Sequence, residues 1–233
     1  DLAQTPFHFI YISLQNTNMN RFCYQVLTFS LLIFLSNHSN AFAQCASNTN
    51  IDSFIFNGHS YKIVKEQKSW SNAASCAVSL GGYLAEINSQ AEQDSIYNSI
   101  QNLAGVSSTY TTVSDGGGIA YVWIGGTDQQ TEGTWIWDGD DDNSGTNFWT
   151  GQGTAGSGNG SAVGGSYINW GGSASGSPNP NEPDDFQGRQ DAAAIGLAGW
   201  PGFNPGFLGN AGEWNDIDVS NQLYYVVEQN CTA

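Results

Sequence analysis

The residues best placed to do chemistry lie in one acidic loop, Asn181-Glu182-Pro183-Asp184-Asp185-Phe186-Gln187-Gly188-Arg189-Gln190-Asp191, and in a shorter stretch beyond it, Trp214-Asn215-Asp216. Glu182, Asp184, Asp185, Gln190, Asp191, Asn215 and Asp216 all offer oxygen, and no His or Cys is interleaved with them. Oxygen-only donors in a loop suit a hard cation, Ca2+ above all, which takes six to eight oxygens in flexible geometry. A merely solvated acidic loop is the plainer alternative, because loops are polar. Paired carboxylates such as Asp184 and Asp216 could also serve as general acid and base. No nucleophile accompanies them: His38 falls in the leader described below, His8 precedes it, and His59 stands alone at a strand start. An enzyme is not expected.

The bulk numbers narrow the partners. Five Lys+Arg against 21 Asp+Glu leave a net charge of −16. A chain this acidic is repelled by phosphate backbones, which excludes nucleic acid and makes cations the natural partners. With 233 residues, 39% of them hydrophobic, and eight Trp, there is material for one domain with a real core. The 29 Gly cluster instead of spreading, so they do not signal general disorder.

The chain before the domain reads as a leader. Met19-Asn20-Arg21 is a short positive start, Val26–Leu35 an apolar run, and Ala41-Phe42-Ala43 a small-x-small cleavage pattern. That run is shorter than the about 20 residues a membrane span needs. Residues 19–43 are therefore expected to be a secretory signal peptide, preceded at 1–18 by upstream read-through or an open gene-model end. A linker follows at 44–56, and the domain occupies 57–233. The product is expected to be extracellular, at the cell surface or in a periplasm, with no membrane insertion after cleavage. Export permits disulfides. Cys45, Cys76 and Cys231 allow one bridge and leave one thiol. Cys76 with Cys231 would tie a helix to the last strand, Cys45 with Cys231 would staple the termini, and the choice stays open.

The elements that must position the acidic loop follow in order. His59–Lys65 alternates as a first strand. A helix is expected over 69–80, with Ala73, Ala74, Ala77 and Leu80 on one face and Gly81-Gly82 as its stop. Leu84–Ile87 is an extended link, and Ser89-Gln90-Ala91-Glu92 is a capping box opening a second helix over 89–103. Tyr121–Gly126 and Thr134–Trp137 read as strands. Asp138–Pro180 is Gly-, Ser- and Asn-rich, but its aromatic islands Phe148-Trp149 and Tyr167–Trp170 argue for a long packed loop. Asp191–Leu197, Glu213–Ile217 and Leu223–Glu228 are the remaining strands, with an insertion at 198–212. The expected fold class is α+β, two helices on small antiparallel sheets, with His59–Lys65 and Leu223–Glu228 paired antiparallel.

Helix, Gly-Gly, helix, Trp-Ile-Gly-Gly, Glu-Pro-Asx, Trp-Asn-Asp and a closing strand ending in Glu228 resemble a C-type lectin-like domain, over about Asn57 to Gln229. The resemblance implies a sugar-binding Ca2+ held by Glu182, Asp184, Gln190, Asn215 and Asp216. Two positions depart from the family pattern: Asp184 replaces an Asn and Gln190 a Glu, which leaves three carboxylates and two amides as before. An auxiliary calcium site would use Asp128, Glu132, Asp185 and Asp191, sharing Gln190. Asp115 lies outside both sets. The Glu182–Pro183 bond is expected to be cis, and Pro178, Pro180, Pro201 and Pro205 are expected to be routine turn prolines. The family's bridges would fall at Ala192 with Val219 and near Val227, none of them Cys; exported bacterial-style members often lack these. The implied function is secreted, calcium-dependent binding of glycans or cell-surface polysaccharide, Glu182 and Asp184 accepting from one hydroxyl and the Gln190 and Asn215 amides donating to another. The alternative is an adhesion module on the same fold for a protein ligand or an ice surface.

Overall fold

The computed structural model describes residues 45–172 and 179–230. The leader at 19–43, the stretch 1–18, Pro178 and Cys231 lie outside the described residues. Within them, the first strands are β1 (Ile51–Phe56) and β2 (His59–Lys68). They form an antiparallel hairpin with Phe56 opposite His59. The two-residue turn is Asn57-Gly58, with φ of 47° and 84°. Two positive φ values are what the tight hairpin turn needs, and Asn-Gly supplies them. The segment 44–56, expected as a linker, thus carries a strand of the domain.

That hairpin also decides the disulfide. Running antiparallel to β2, the N-terminal segment returns toward its far end, where Glu66 accepts from the Ser47 N–H at 2.6 Å. Cys45 there bridges Cys76, with Cα atoms 5.5 Å apart. Both expected pairings through Cys231 are corrected: residue 76 is bonded to residue 45, not to the C-terminal cysteine.

Helix α1 (Trp70–Ser79) lays Trp70, Ala73, Ala74, Cys76 and Ala77 against the sheet. Its small residues let the backbone approach closely, and Gly81 at φ 83° ends it as expected. Helix α2 (Gln90–Asn98) continues as a π-turn over Ser99–Leu103. Ser89 Oγ accepts from the Glu92 N–H at 3.2 Å, the first half of the capping box. The second half differs. Glu92 reaches one residue further back, to the Asn88 N–H at 2.8 Å, and takes the Tyr61 hydroxyl at 2.5 Å.

The remaining strands are β3 (Tyr83–Leu84), β4 (Tyr121–Thr127), β5 (Thr134–Trp137), β6 (Thr146–Thr150), β7 (Ser161–Ala162), β8 (Ala192–Gly196), β9 (Trp214–Ile217) and β10 (Leu223–Asn230). Their order is β1-β2-β10-β4-β5-β6-β7, with β3 on β10, β8 on β4 and β9 on β8. β10 closes antiparallel on β2, Glu228 opposite Tyr61. It runs parallel to β4, Tyr224 opposite Val122, so the sheet is mixed and not purely antiparallel. β6 and β7 sit inside the stretch expected to be loop; β6 pairs with β5, Trp149 opposite Trp135.

All eight Trp are buried, none more than 3% exposed. Trp135, Trp137, Phe148, Trp149, Trp170 and Trp214 share one core cluster. The Gly-rich stretch is therefore packed by its aromatic islands, as expected. Trp170 meets Trp214 edge-on at 5.8 Å. The Trp214 N–H donates to the Asn169 carbonyl and its carbonyl accepts from the Gly171 N–H, both at 2.8 Å. The long loop thus clamps the start of β9 from the side opposite β8, and β9 carries Asn215 and Asp216.

Candidate functional site

Asn215 and Asp216 lie on β9, a strand flanked by β8 and Trp170 and buried along its whole length, so both adjacent side chains are enclosed although they point to opposite faces. Glu182 is brought to them by the turn at Gly171, whose carbonyl accepts from the Asn181 and Glu182 N–H groups at 2.7 and 3.2 Å. A side chain at Gly171 would have its Cβ 2.6 Å from the Trp200 ring and 2.8 Å from Glu182 Cγ, so only Gly fits. The Glu182–Pro183 bond is cis, as the resemblance implied; Trp200–Pro201 is also cis, against the expectation of a routine turn.

Glu182, Asp184 and Asp216 each bring a carboxylate oxygen within 4.8 Å of the others. Asp216 is fully buried and held by the acidic loop itself, accepting from the Asp184 N–H at 3.2 Å and the Asp185 N–H at 2.7 Å. Glu182 Oε1 accepts from the Trp200 indole at 2.9 Å. Its other oxygen, Oε2, is buried without a partner, and so is Asn215 Oδ1. Asn215 is oriented from behind: its Nδ2 donates to the Tyr121 hydroxyl at 3.1 Å, which in turn donates to the Gly116 carbonyl at 2.7 Å. Burial raises all three carboxyl pKa values, and neighbouring carboxylates add to it: Asp184 beside Glu182, Asp185 beside Asp184, and both Glu182 and Asp184 beside Asp216. None of the three has an ion-pair partner among the described residues.

Gln190 lines the cavity described below, with both ends of its amide engaged. Its Oε1 accepts from the Phe186 N–H at 2.6 Å and its Nε2 donates to the Asp115 carbonyl at 3.0 Å. One Asn215 amide hydrogen and one Gln190 amide hydrogen, both expected to face a ligand hydroxyl, are thus committed to Tyr121 and Asp115. Asp115 is no bystander. Its carboxylate also holds the Asp218 N–H at 2.9 Å and Asn221 Nδ2 at 3.0 Å.

The auxiliary set gathers in the same way. Carboxylate oxygens of Asp128, Glu132 and Asp191 lie within 4.8 Å of one another. Asp185 is near enough that its charge raises the pKa values of all three, after burial in each case. Asp128 is pushed up to about 8, chiefly by burial. Its Oδ2 accepts from the Gly133 N–H at 2.9 Å, while its Oδ1 is buried without a partner. A third trio, Asp138, Asp140 and Asp142, differs in that respect. The two Asp138 oxygens accept from the Asp142 and Asn143 N–H groups at 3.0 and 3.1 Å.

Among the described residues, the buried carboxylate and amide oxygens lacking a partner are therefore Glu182 Oε2, Asn215 Oδ1 and Asp128 Oδ1. Buried acceptors are normally satisfied, and each unsatisfied one costs about 1–3 kcal/mol. An oxygen-rich, cation-poor cluster with unmet acceptors fits a hard cation. Sequence reasoning missed three supporting residues. Trp200 holds Glu182 from the 198–212 insertion, Tyr121 holds Asn215 from β4, and Asp115 holds Gln190 from a polar connector.

Above Glu182, Asp184, Gln190 and Asn215 opens a cavity of about 320 Å³. Its lining also includes the apolar Phe186, Trp200, Pro201, Phe203 and Leu208, with Ser114, Asp115 and Gly117.

The lectin C-type domain family model matches residues 66–228, and the chain belongs to that family. Among solved structures it is similar to the mouse scavenger receptor C-type lectin carbohydrate-recognition domain, at 20% identity, covering 80% of this chain and 98% of that one, with a TM-score of 0.47. It is similar also to the cow C-type carbohydrate-recognition domain of CD23, at 20% identity over 78% and 95% of the two chains, TM-score 0.47. A herring type II antifreeze protein matches at 17% identity over 80% and 100%, TM-score 0.45. A search of curated proteins returns no match.

Proposed function

We propose that the chain is a secreted, calcium-dependent carbohydrate-binding module, not an enzyme. The observation that carries this reading is the pair of unpartnered buried oxygens, Glu182 Oε2 and Asn215 Oδ1, set among the carboxylates of Asp184 and Asp216. Glu182, Asp184, Asn215 and Asp216 would hold the ion, with the remaining lone pair of Gln190 Oε1 as a fifth donor. Bound there, Ca2+ supplies open coordination positions that sugar hydroxyls can fill. Glu182 and Asp184 accept from those hydroxyls. Asn215 and Gln190 have one amide hydrogen each left to donate, fewer than the free side chains would offer. Asp128, Glu132, Asp185 and Asp191 would hold a second ion, whose part is to fix the acidic loop from its other side. The Cys45–Cys76 bridge is in keeping with an oxidising extracellular compartment, and no helix among the described residues is long and apolar enough to cross a membrane.

A glycan array probed with calcium and again with chelator tests this directly. Glycan or polysaccharide signals that vanish with chelator and return with calcium are the expected result. A second reading, an adhesion module for a protein or an ice surface, draws on the exposed Phe186, Phe203 and Phe207 beside the site. Calcium binding with a blank array would favour it.

A further inference from the structure

The cavity beside the oxygen cluster is lined by two kinds of side chain. Glu182, Asp184, Gln190 and Asn215, with Ser114 and Asp115, supply polar groups, and Phe186, Trp200, Pro201, Phe203 and Leu208 supply apolar ones. Phe203 is 91% exposed and Phe186 50%, with Phe207 at 66% on the same insertion. Three phenyl groups left in water beside a polar site are unusual for a scattered apolar surface, and contiguous exposed apolar patches mark binding surfaces.

The apolar wall is also built, not incidental. Trp200 is buried, and its N–H donates to the Gly209 carbonyl at 2.9 Å while its own carbonyl accepts from the Leu208 N–H at 3.1 Å, closing the insertion on itself. Turns from Asn204 to Pro201 and from Phe207 to Asn204 hold the tip. Asn181 Nδ2, next to Glu182, donates to the Phe207 and Leu208 carbonyls at 3.2 and 3.1 Å. The residue that carries the wall, Trp200, donates its indole hydrogen to Glu182 itself. The wall and the oxygen cluster are therefore one rigid unit, registered to each other by direct hydrogen bonds.

Resting on the carbohydrate-binding reading, we infer that this site takes sugars bearing an apolar substituent: the hydroxyls go to the oxygens of Glu182, Asp184 and Asn215, and an aryl or short alkyl aglycone lies against the phenyl and Leu208 side chains that share the cavity. The volume argues for one ring-sized group beyond the hydroxyls. At 320 Å³ the cavity stands at the small end of ligand pockets, which run about 300–1,000 Å³. A bare glycoside would leave the phenyl faces wetted; an aryl group covers them and gains the apolar burial.

The test uses matched methyl and phenyl glycosides of mannose, glucose, galactose and N-acetylglucosamine, titrated calorimetrically at saturating calcium. For each sugar that binds, the phenyl form is expected to bind about tenfold tighter than the methyl form, the burial of one aryl group less its ordering cost. In Phe203→Ala the ratio should fall toward one, with calcium affinity, methyl-glycoside affinity and melting temperature unchanged, since that side chain is 91% exposed and lies outside the acidic loop. Methyl and phenyl forms binding equally, or a ratio retained in the variant, overturns the inference and leaves the sugar reading standing. Calcium binding with no response to any of the glycosides removes the sugar reading, and this inference with it.

Discussion

Asn215 shows how one residue couples the core to the site. Its Nδ2 is fixed by Tyr121, so its Oδ1 is aimed rather than free to rotate, and that oxygen has no protein partner. Removing the Tyr121 hydroxyl should therefore weaken calcium binding without touching a charge. In Tyr121→Phe we expect calcium affinity to fall several-fold and stability to drop by about 1–3 kcal/mol, because Asn215 Nδ2 and the Gly116 carbonyl both lose their buried partner. Calorimetric titration of the variant, beside its melting curve, checks both; unchanged calcium affinity would mean Asn215 is not oriented this way. Glu182 behaves oppositely. Burial and Asp184 oppose its charge, so Glu182→Gln should leave the ion-free protein at least as stable as the parent while abolishing its stabilisation by calcium at this site. A variant that is destabilised without calcium but still shifted by it would contradict the assignment. These proposed ligand positions were legible in the sequence because Glu-Pro-Asx and Trp-Asn-Asp are contiguous. Tyr121, Asp115 and Trp200 were not, since each acts across a long chain separation through contacts only the fold creates.

At the scale of elements, local chemistry announced itself where it was strong. The Ser89 cap, Gly81-Gly82 and the aromatic alternation of Thr134–Trp137 gave helix and strand ends within a residue or two. Glu92 does more than cap: its carboxylate is shared between the Asn88 N–H and the buried Tyr61 hydroxyl. Ser89→Ala should cost about 1 kcal/mol, the usual value of an N-cap. Glu92→Ala should cost more, about 1–3 kcal/mol, because Tyr61 is left without its acceptor. Urea melts of the two variants rank them; the reverse ranking would show the Tyr61 contact to be unimportant. β1 does not stand out in the sequence although Asn57-Gly58 marks its hairpin, because Ile55 between Phe54 and Phe56 blurs the apolar–polar alternation and the strand is short and only half-buried. β6 was hidden by the composition around it: Gly and Asn on both sides read as loop, and only pairing with β5 makes Thr146–Thr150 extended. The bridge from Cys45 to Cys76 follows from that missed hairpin. It closes a loop of 31 residues, and by loop-closure entropy its loss should cost on the order of 3–4 kcal/mol, read as a lower melting temperature in the Cys45→Ala/Cys76→Ala pair.

For the molecule as a whole, a net charge of −16 has to be borne with carboxylates gathered around two largely or fully buried ones, Asp128 and Asp216. Asp128, at about 8, lies far above the unfolded carboxylate value of about 3.9. A carboxyl raised on folding stabilises the native state fully below the unfolded value, and that contribution is lost as pH climbs through the folded one. The ion-free protein should therefore melt progressively lower between about pH 4 and pH 8, and Asp128→Asn should flatten that decline. Calcium bound as proposed would compensate the same charges, so the difference between melts in calcium and in chelator should be larger at pH 8 than at pH 5. Equal differences at the two pH values would argue against buried carboxylates as the ligands. An ion held only by the folded state adds about 2.7 kcal/mol at a hundredfold excess over Kd, or roughly 5–10 °C for a domain of this size. The most direct measurement is a calcium titration followed by intrinsic Trp fluorescence, since Trp200 donates to Glu182 and Trp214 precedes Asn215 in β9. The account predicts a saturable change in the parent that Asp216→Asn removes at the same calcium concentrations. A parent whose fluorescence and melting temperature both ignore calcium up to millimolar levels would contradict it.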